Sequence, residues 1–357
     1  MTRTKVTNSS LSFDGGSLSG NRNRIINGDM RIDQRNAGVS SSINGSNIYT
    51  LDRWSADDVT DGAYTIQRSG VVPVGFTSSL AVTVTTADAS LAVGQYANVV
   101  QHIEGHNISD LEWGTSDAVP ITLSFWTRSS LTGTFGGAIR NNGANRSYPF
   151  NYPISTANTW EYKTITIPGD TTGTWLRDSN RGMSVFFSLG NGGTFAGTVG
   201  SWAAANYVGA TGAVNVMGTL NATWYLTGVQ LEVGTVATPF ERRPYGAELN
   251  LCYRYFQQLG NIIYATIGSG VQQNTTLAAI NVPLLQSLRT SSPNISISSL
   301  IVTDRTSADA VVSSVNETRV SETSLYLSLT HTAFGAAGRG CLLAPNTNGY
   351  LRVSAEL

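Results

Sequence analysis

An all-β chain in two domains is the fold class this sequence predicts: an antiparallel jelly-roll sandwich, a short linking helix, and a second, smaller β-sandwich. Three observations predict it. Apolar residues recur at every second position in many short runs, such as Leu80, Val82 and Val84, or Met183, Val185, Phe187 and Leu189, which is the period of a half-buried strand. Turn signals such as Asp61-Gly62, Thr132-Gly133, Gly136-Gly137 and Gly192-Gly193 separate the runs, and no long helical period intervenes. The 357 residues exceed the size at which a single core keeps growing. Composition shifts along the chain in the same sense, because all seven tryptophans lie at or before Trp224 and the rest relies on Leu, Ile, Val and Ser.

Taken in order, residues 1–23 carry only scattered Val6, Leu11, Phe13 and Leu18 among Asn, Ser and Gly, so they read as an anchoring arm that orders against a neighbour. Residues 24–240 form the jelly-roll domain. Within it Ile121, Leu123 and Phe125 alternate with Thr122 and Ser124, and Tyr162 to Ile167 is a further strand stopped by Pro168-Gly169-Asp170. Tyr225, Val229, Leu231 and Val233 mark a closing strand. Residues 241–258 are a joint, where Pro239 and Pro244 interrupt regular structure and Leu249, Cys252, Tyr253 and Phe256 follow at helical spacing. The helix is expected over about 247–256 with Leu249, Cys252 and Phe256 buried at a subunit or domain interface. Residues 259–357 form the C-terminal sandwich, with strands expected at Ile262–Ile267, Leu277–Leu284, Ile295–Thr303, Ser324–Thr330 and Tyr350–Leu357.

Charged residues make up 13% of the chain and the net charge is −1, so there is no basic footprint for nucleic acid. No stretch approaches the ~20 apolar residues of a membrane span, and membrane insertion is not expected. Cys252 and Cys341 each fall in an apolar run and read as buried thiols.

Catalytic designs find little material. His102 and His106 share the i, i+4 spacing of a helical zinc pair, but Tyr96 to Val100 before them reads as a strand, where the rings need not converge. No Gly-x-Ser-x-Gly elbow or phosphate loop occurs, and Asp57-Asp58 and Asp29 with Asp33 read as turn carboxylates. No cofactor is expected. Sugar binding asks for less: exposed aromatic faces beside groups that hydrogen-bond hydroxyls. Asn141, Asn145, Arg146 and Tyr148 in one loop-like stretch, Trp175 in another, and Trp202 fit this description. The same aromatics also fit a second reading, as pins that hold loops onto the sandwich.

Several words of the sequence occur together in order: Asn23-Arg24-Ile25-Ile26-Asn27-Gly28-Asp29-Met30-Arg31-Ile32-Asp33-Gln34-Arg35-Asn36-Ala37-Gly38, Leu51-Asp52-Arg53-Trp54, Leu123-Ser124-Phe125-Trp126, Asn145-Arg146-Ser147-Tyr148 and Asn158-Thr159-Trp160-Glu161-Tyr162-Lys163. Through these the chain resembles a family of bacteriophage tail fibre and virion surface proteins with a carbohydrate-binding-module-like jelly roll. The resemblance implies a virion structural protein without enzymatic activity, made in the host bacterial cytoplasm. It further implies a homotrimer, attachment to tail or capsid proteins through the arm, and binding of host surface glycan. Jelly rolls of this shape often hold a structural calcium, for which Asp29 and Glu232 are the carboxylates in place. A capsid decoration or head spike protein is the alternative, and a polysaccharide depolymerase a more distant one.

Overall fold

The computed structural model describes residues 21–306 and 309–357, so all of the expected arm except Asn21, Arg22 and Asn23 lies outside the described residues. The chain divides into two compact units between Arg243 and Pro244, inside the segment expected to be a joint.

The first unit is a sandwich of two six-stranded sheets. Its strands are β1 (Ser41–Ile43), β2 (Ile48–Tyr49), β3 (Trp54–Val59), β4 (Ala63–Ser69), β5 (Ser79–Thr86), β6 (Tyr96–Glu104), β7 (Ile121–Ser129), β8 (Gly133–Asn141), β9 (Ser147–Ile154), β10 (Glu161–Ile167), β11 (Arg181–Asn191), β12 (Ala196–Gly197), β13 (Gly209–Ala210) and β14 (Thr223–Val233). The first sheet runs β1-β4-β5-β14-β7-β10 and the second β2-β3-β6-β11-β8-β9, with every neighbouring pair antiparallel. Alternation turns Leu123, Phe125, Trp224 and Leu226 of the first sheet toward Trp54, Val185 and Phe187 of the second, and all are buried in one core. Phe125 meets Phe187 edge-on with centroids 5.1 Å apart, and Phe187 meets Trp224 at 5.9 Å. Burying side chains of this size contributes about 1.5–3 kcal/mol each.

Residues 23–32 enter the core without forming a strand: Ile25, Met30 and Ile32 are buried. Asn27 makes this possible, since its side chain donates to the carbonyls of Ile32 and Asp52 and accepts from Ile32 N–H, meeting in an irregular segment the backbone needs that a sheet would otherwise meet. Two charged residues of the joint hold the same segment down. Glu241 accepts N–H bonds from Asn21, Arg22 and Asn23 at 2.7, 3.2 and 3.0 Å, and Arg243 donates to the carbonyls of Asn23 and Ile25. Burial pushes the Glu241 carboxyl up, but these three N–H bonds and Arg243 outweigh it and hold it below its ordinary value.

The second unit begins with helix α1 (Tyr245–Tyr253), followed by β15 (Phe256–Gly260), β16 (Gly268–Asn274), β17 (Leu277–Pro283), β18 (Asn294–Thr303), β19 (Ala310–Val320), β20 (Ser324–His331) and β21 (Gly340–Ser354). It is not the sandwich expected. β16, β17, β20, β19 and β18 pair in that order, and the long β21 pairs with both β16 and β18, closing the sheet into a barrel around Ile280, Val302, Leu327, Leu343 and Val353. A closed sheet has no free edges. β15 pairs with the outer half of β21.

Three local expectations change here. The helix stops at Tyr253, because Phe256 is the first residue of β15 and pairs with Ser354. Cys252 and Phe256 are buried, whereas Leu249 is only half-buried. Ile262–Ile267 is not a strand: Ile262, Ile263 and Tyr264 are exposed, with Asn261 and Tyr264 in left-handed backbone.

Candidate functional site

The residues singled out as sugar-binding candidates do come together, on β8, β9 and the loops beyond them. Their centre is Asp170, which is 1% exposed. Its carboxylate accepts from both Nε and Nη2 of Arg146, from Trp175 Nε1 at 3.0 Å, and from Thr172. Trp113, Trp175 and Trp202 pack mutually edge-to-face with centroids 4.7–5.6 Å apart, and Tyr148 lies 5.2 Å from Trp202. Trp202 donates its ring N–H to Pro168 O. Asn141 Oδ1 accepts from the N–H of Asn145 and Arg146, and Asn141 Nδ2 donates to Thr174 O and Asn145 Oδ1. Tyr148 and Trp175 are buried and Trp202 half-buried. Polar groups that would face a sugar are thus turned toward one another, in the geometry of loop pins.

A different aromatic surface faces water. On β7 the inward residues are Leu123 and Phe125, so the next outward position after Ser124 is Trp126. Its cross-strand partner on edge strand β10 is Tyr162, 43% exposed, and the two rings lie 5.4 Å apart. Phe76 and Phe240, half-buried and 5.3 Å apart edge-to-face, form the opposite wall, with Arg242 stacked over both at 4.7 and 5.7 Å and donating to Gly75 O at 2.6 Å. With Ala237, Thr238 and Pro239 these residues line a surface groove of about 500 Å³ on the outer face of the first sheet.

Two glycines allow it. Gly75, at φ +89°, is the third residue of a tight turn closed by Phe76 N–H to Pro73 O, the place where a positive φ is required. Gly228, at φ +60° in the bulge where β14 slips register against β7, has the Phe76 ring lying directly on it: a Cβ there would sit 2.6 Å from Phe76 Cζ and 3.2 Å from Trp126 Cδ1. Further along the same face Trp160 meets Tyr225 edge-on at 6.1 Å, and Arg128 lies over Tyr225 at 5.1 Å.

The other chemical candidates separate. His102 lies on β6 and His106 in the 3-10 turn that follows, so they share no helix face. Asp57 and Asp58 are adjacent on β3 and point to opposite faces; burial, with the Asp57 charge, pushes Asp58 up to about 6 despite a bond from Gly45 N–H. Asp29 is paired with Arg31 at 2.5 Å, and Glu232 accepts from Thr238 N, Thr238 Oγ1 and Gln230 Nε2. Calcium takes six to eight oxygen ligands. A carboxylate already paired with a guanidinium and another filled by three donors do not fit such an ion, and among the described residues no three His, Cys, Asp or Glu gather as a metal site. Cys252 and Cys341 are both buried.

No family model matches the chain, and no curated protein matches it. Solved structures similar to it include a phage tailspike domain and carbohydrate-binding modules. The enzymatically active domain of tailspike protein 4 from bacteriophage CBA120 is 13% identical, over 60% of this chain and 22% of that one, with a TM-score of 0.32. A putative sugar binding protein from Bacteroides thetaiotaomicron VPI-5482 is 12% identical, over 59% of this chain and 100% of that one, at 0.34. The family 11 carbohydrate-binding module from Clostridium thermocellum, in complex with a mixed-linked tetrasaccharide, is 12% identical over 56% and 98%, at 0.28.

Proposed function

We propose that this is a non-enzymatic structural protein of a bacteriophage virion, a tail fibre or receptor-binding protein, whose first unit, wound as a jelly roll, binds host surface glycan in the Trp126–Tyr162 groove. The observation that carries the binding is the pair of neighbouring, water-facing rings on a strand-built floor. Sugar rings present flat C–H faces that stack on aromatic faces and hydroxyls that need donors and acceptors. Trp126 and Tyr162 supply the faces; Arg242 and Thr238 stand at the rim. Strands place the two rings, so little ordering accompanies binding.

An open groove of this kind binds one sugar chain weakly. A homotrimer, anchored to other virion proteins through residues 1–23, multiplies such sites on one particle and raises avidity without new contacts. A glycan array probed with the wild-type protein and Trp126→Ala tests the reading. Loss of the wild-type hits in the variant, with an unchanged circular dichroism spectrum, is expected; equal binding by both refutes it. Incubation of the glycan hits with the protein is expected to release no reducing ends.

A further inference from the structure

The outer face of the second sheet carries a cluster that the groove does not use. His102 on β6, Ser184 on β11 and Arg140 on β8 are cross-strand partners in a single row, so neighbouring members stand about 5 Å apart. Arg181, across from Glu104, follows at the end of the same two central strands. His102 is 1% exposed; its Nδ1 lies 2.8 Å from Ser184 Oγ, and its Nε2 has no hydrogen-bond partner. The Nε–H groups of Arg140 and Arg181 have none either. Both arginines are half-buried, so solvent reaches the guanidinium side of the row while the imidazole is sealed behind it. Arg140 is held in place by the Phe186 ring, 4.5 Å beneath it, and by Asn206 Oδ1 at 2.5 Å.

Cations crowd this face. Arg53, Arg140 and Arg181 all act on His102, and burial together with these three cations holds the ring well below its ordinary pKa. Asp57, which acts on Arg140, and Glu104, opposite Arg181, are the acids that face them. A buried donor without an acceptor is costly, more so when charged, and several gathered on one face call for an acceptor from outside the chain.

We infer that the His102–Arg140–Arg181 row is a binding subsite for a small oxyanion, such as the carboxylate or phosphate group of an acidic saccharide. Guanidinium N–H groups match both anions in geometry, and the unpaired donors of the row lack only an acceptor. The inference is independent of the aromatic groove, which lies on the other sheet.

Titration of the full chain, selectively labelled at its three histidines, with sodium phosphate or sodium glucuronate at constant ionic strength tests it by NMR, with the His102 signal assigned from His102→Gln. A saturable shift of that signal is expected with at least one anion and none with glucose, and a dissociation constant at least tenfold larger in Arg181→Gln and in Arg140→Gln. The tighter of the two anions identifies the group carried by the ligand. Absence of a saturable shift with either anion overturns the subsite. So does an unchanged dissociation constant in either arginine variant that keeps the wild-type circular dichroism spectrum.

Discussion

The two outer faces of the first sandwich depart from ordinary protein surface in opposite ways. The first sheet leaves aromatic rings partly in water: exposed Tyr162 and half-buried Trp126, Phe76 and Phe240 surround an open groove. The second sheet does the reverse, taking His102, Asn98 and Ser184 almost wholly out of water beside three arginines, while Val208 of the following segment packs on Val100 and Phe186. Exposed apolar rings suit a partner that offers C–H faces; buried N–H donors suit one that offers negative oxygen. A third region, the cluster around Asp170, has the same residue types as the groove but satisfies itself. Aromatic content alone therefore does not mark a binding site; what the polar atoms are bonded to separates site from scaffold.

The largest effect is expected at that scaffold. Asp170→Ala removes the acceptor of Arg146 and Trp175 and leaves both donors behind in a part-buried setting, so a loss of about 2–4 kcal/mol in urea unfolding is expected, with glycan affinity unchanged in the folded fraction. A loss of binding without a loss of stability would move the sugar site back to Trp202. Next, Gly228→Val drives a side chain into the Phe76 ring. Glycan affinity is expected to fall about tenfold or more, about 1.4 kcal/mol, by isothermal titration, and unchanged affinity would show that Phe76 is not part of the wall.

Much of the first sandwich is legible in the residue pattern alone. Strand alternation marks β5, β7, β10, β11 and β14, and it places Trp126 on the same side as Thr122 and Ser124, the polar side, where a tryptophan is out of place. That misplaced ring is the signal for the groove, and attention to loop aromatics such as Trp175 and Trp202 passes over it. Phe76 and Phe240 carry no such signal, since a turn at Gly75 and a bare backbone at Gly228 bring them in across more than 150 residues. The barrel is hidden for a similar reason. β21 serves three partners along its 15 residues, and nothing in its alternation reveals that its inner half meets β16 as well as β18. Helical spacing overextends α1 because Phe256 continues the pattern of Leu249 and Cys252, yet pairing with Ser354 prevails over that local pattern.

A smaller effect concerns Asp58, at the edge of the second sheet. Its pKa is raised in the folded state, to about 6, so its contribution to stability is full below pH ~4, its unfolded range, and declines as pH rises through 6. Asp58→Asn is therefore expected to raise the melting temperature at pH 7 by a few degrees and to leave it nearly unchanged at pH 4, by differential scanning calorimetry. The reverse order would mean that the carboxylate is stabilised where it lies. The smallest effect is expected for Arg242→Ala, which removes a cation stacked on Phe76 and Phe240 at the exposed rim. A two- to fivefold weaker glycan affinity, about 0.5–1 kcal/mol, is expected there.

The contrast between groove and scaffold is tested most directly by comparing glycan binding of Trp126→Ala and Trp202→Ala on the same array. Signal lost in Trp126→Ala and kept in Trp202→Ala is the result this account predicts. Signal kept in Trp126→Ala and lost in a folded Trp202→Ala would contradict it.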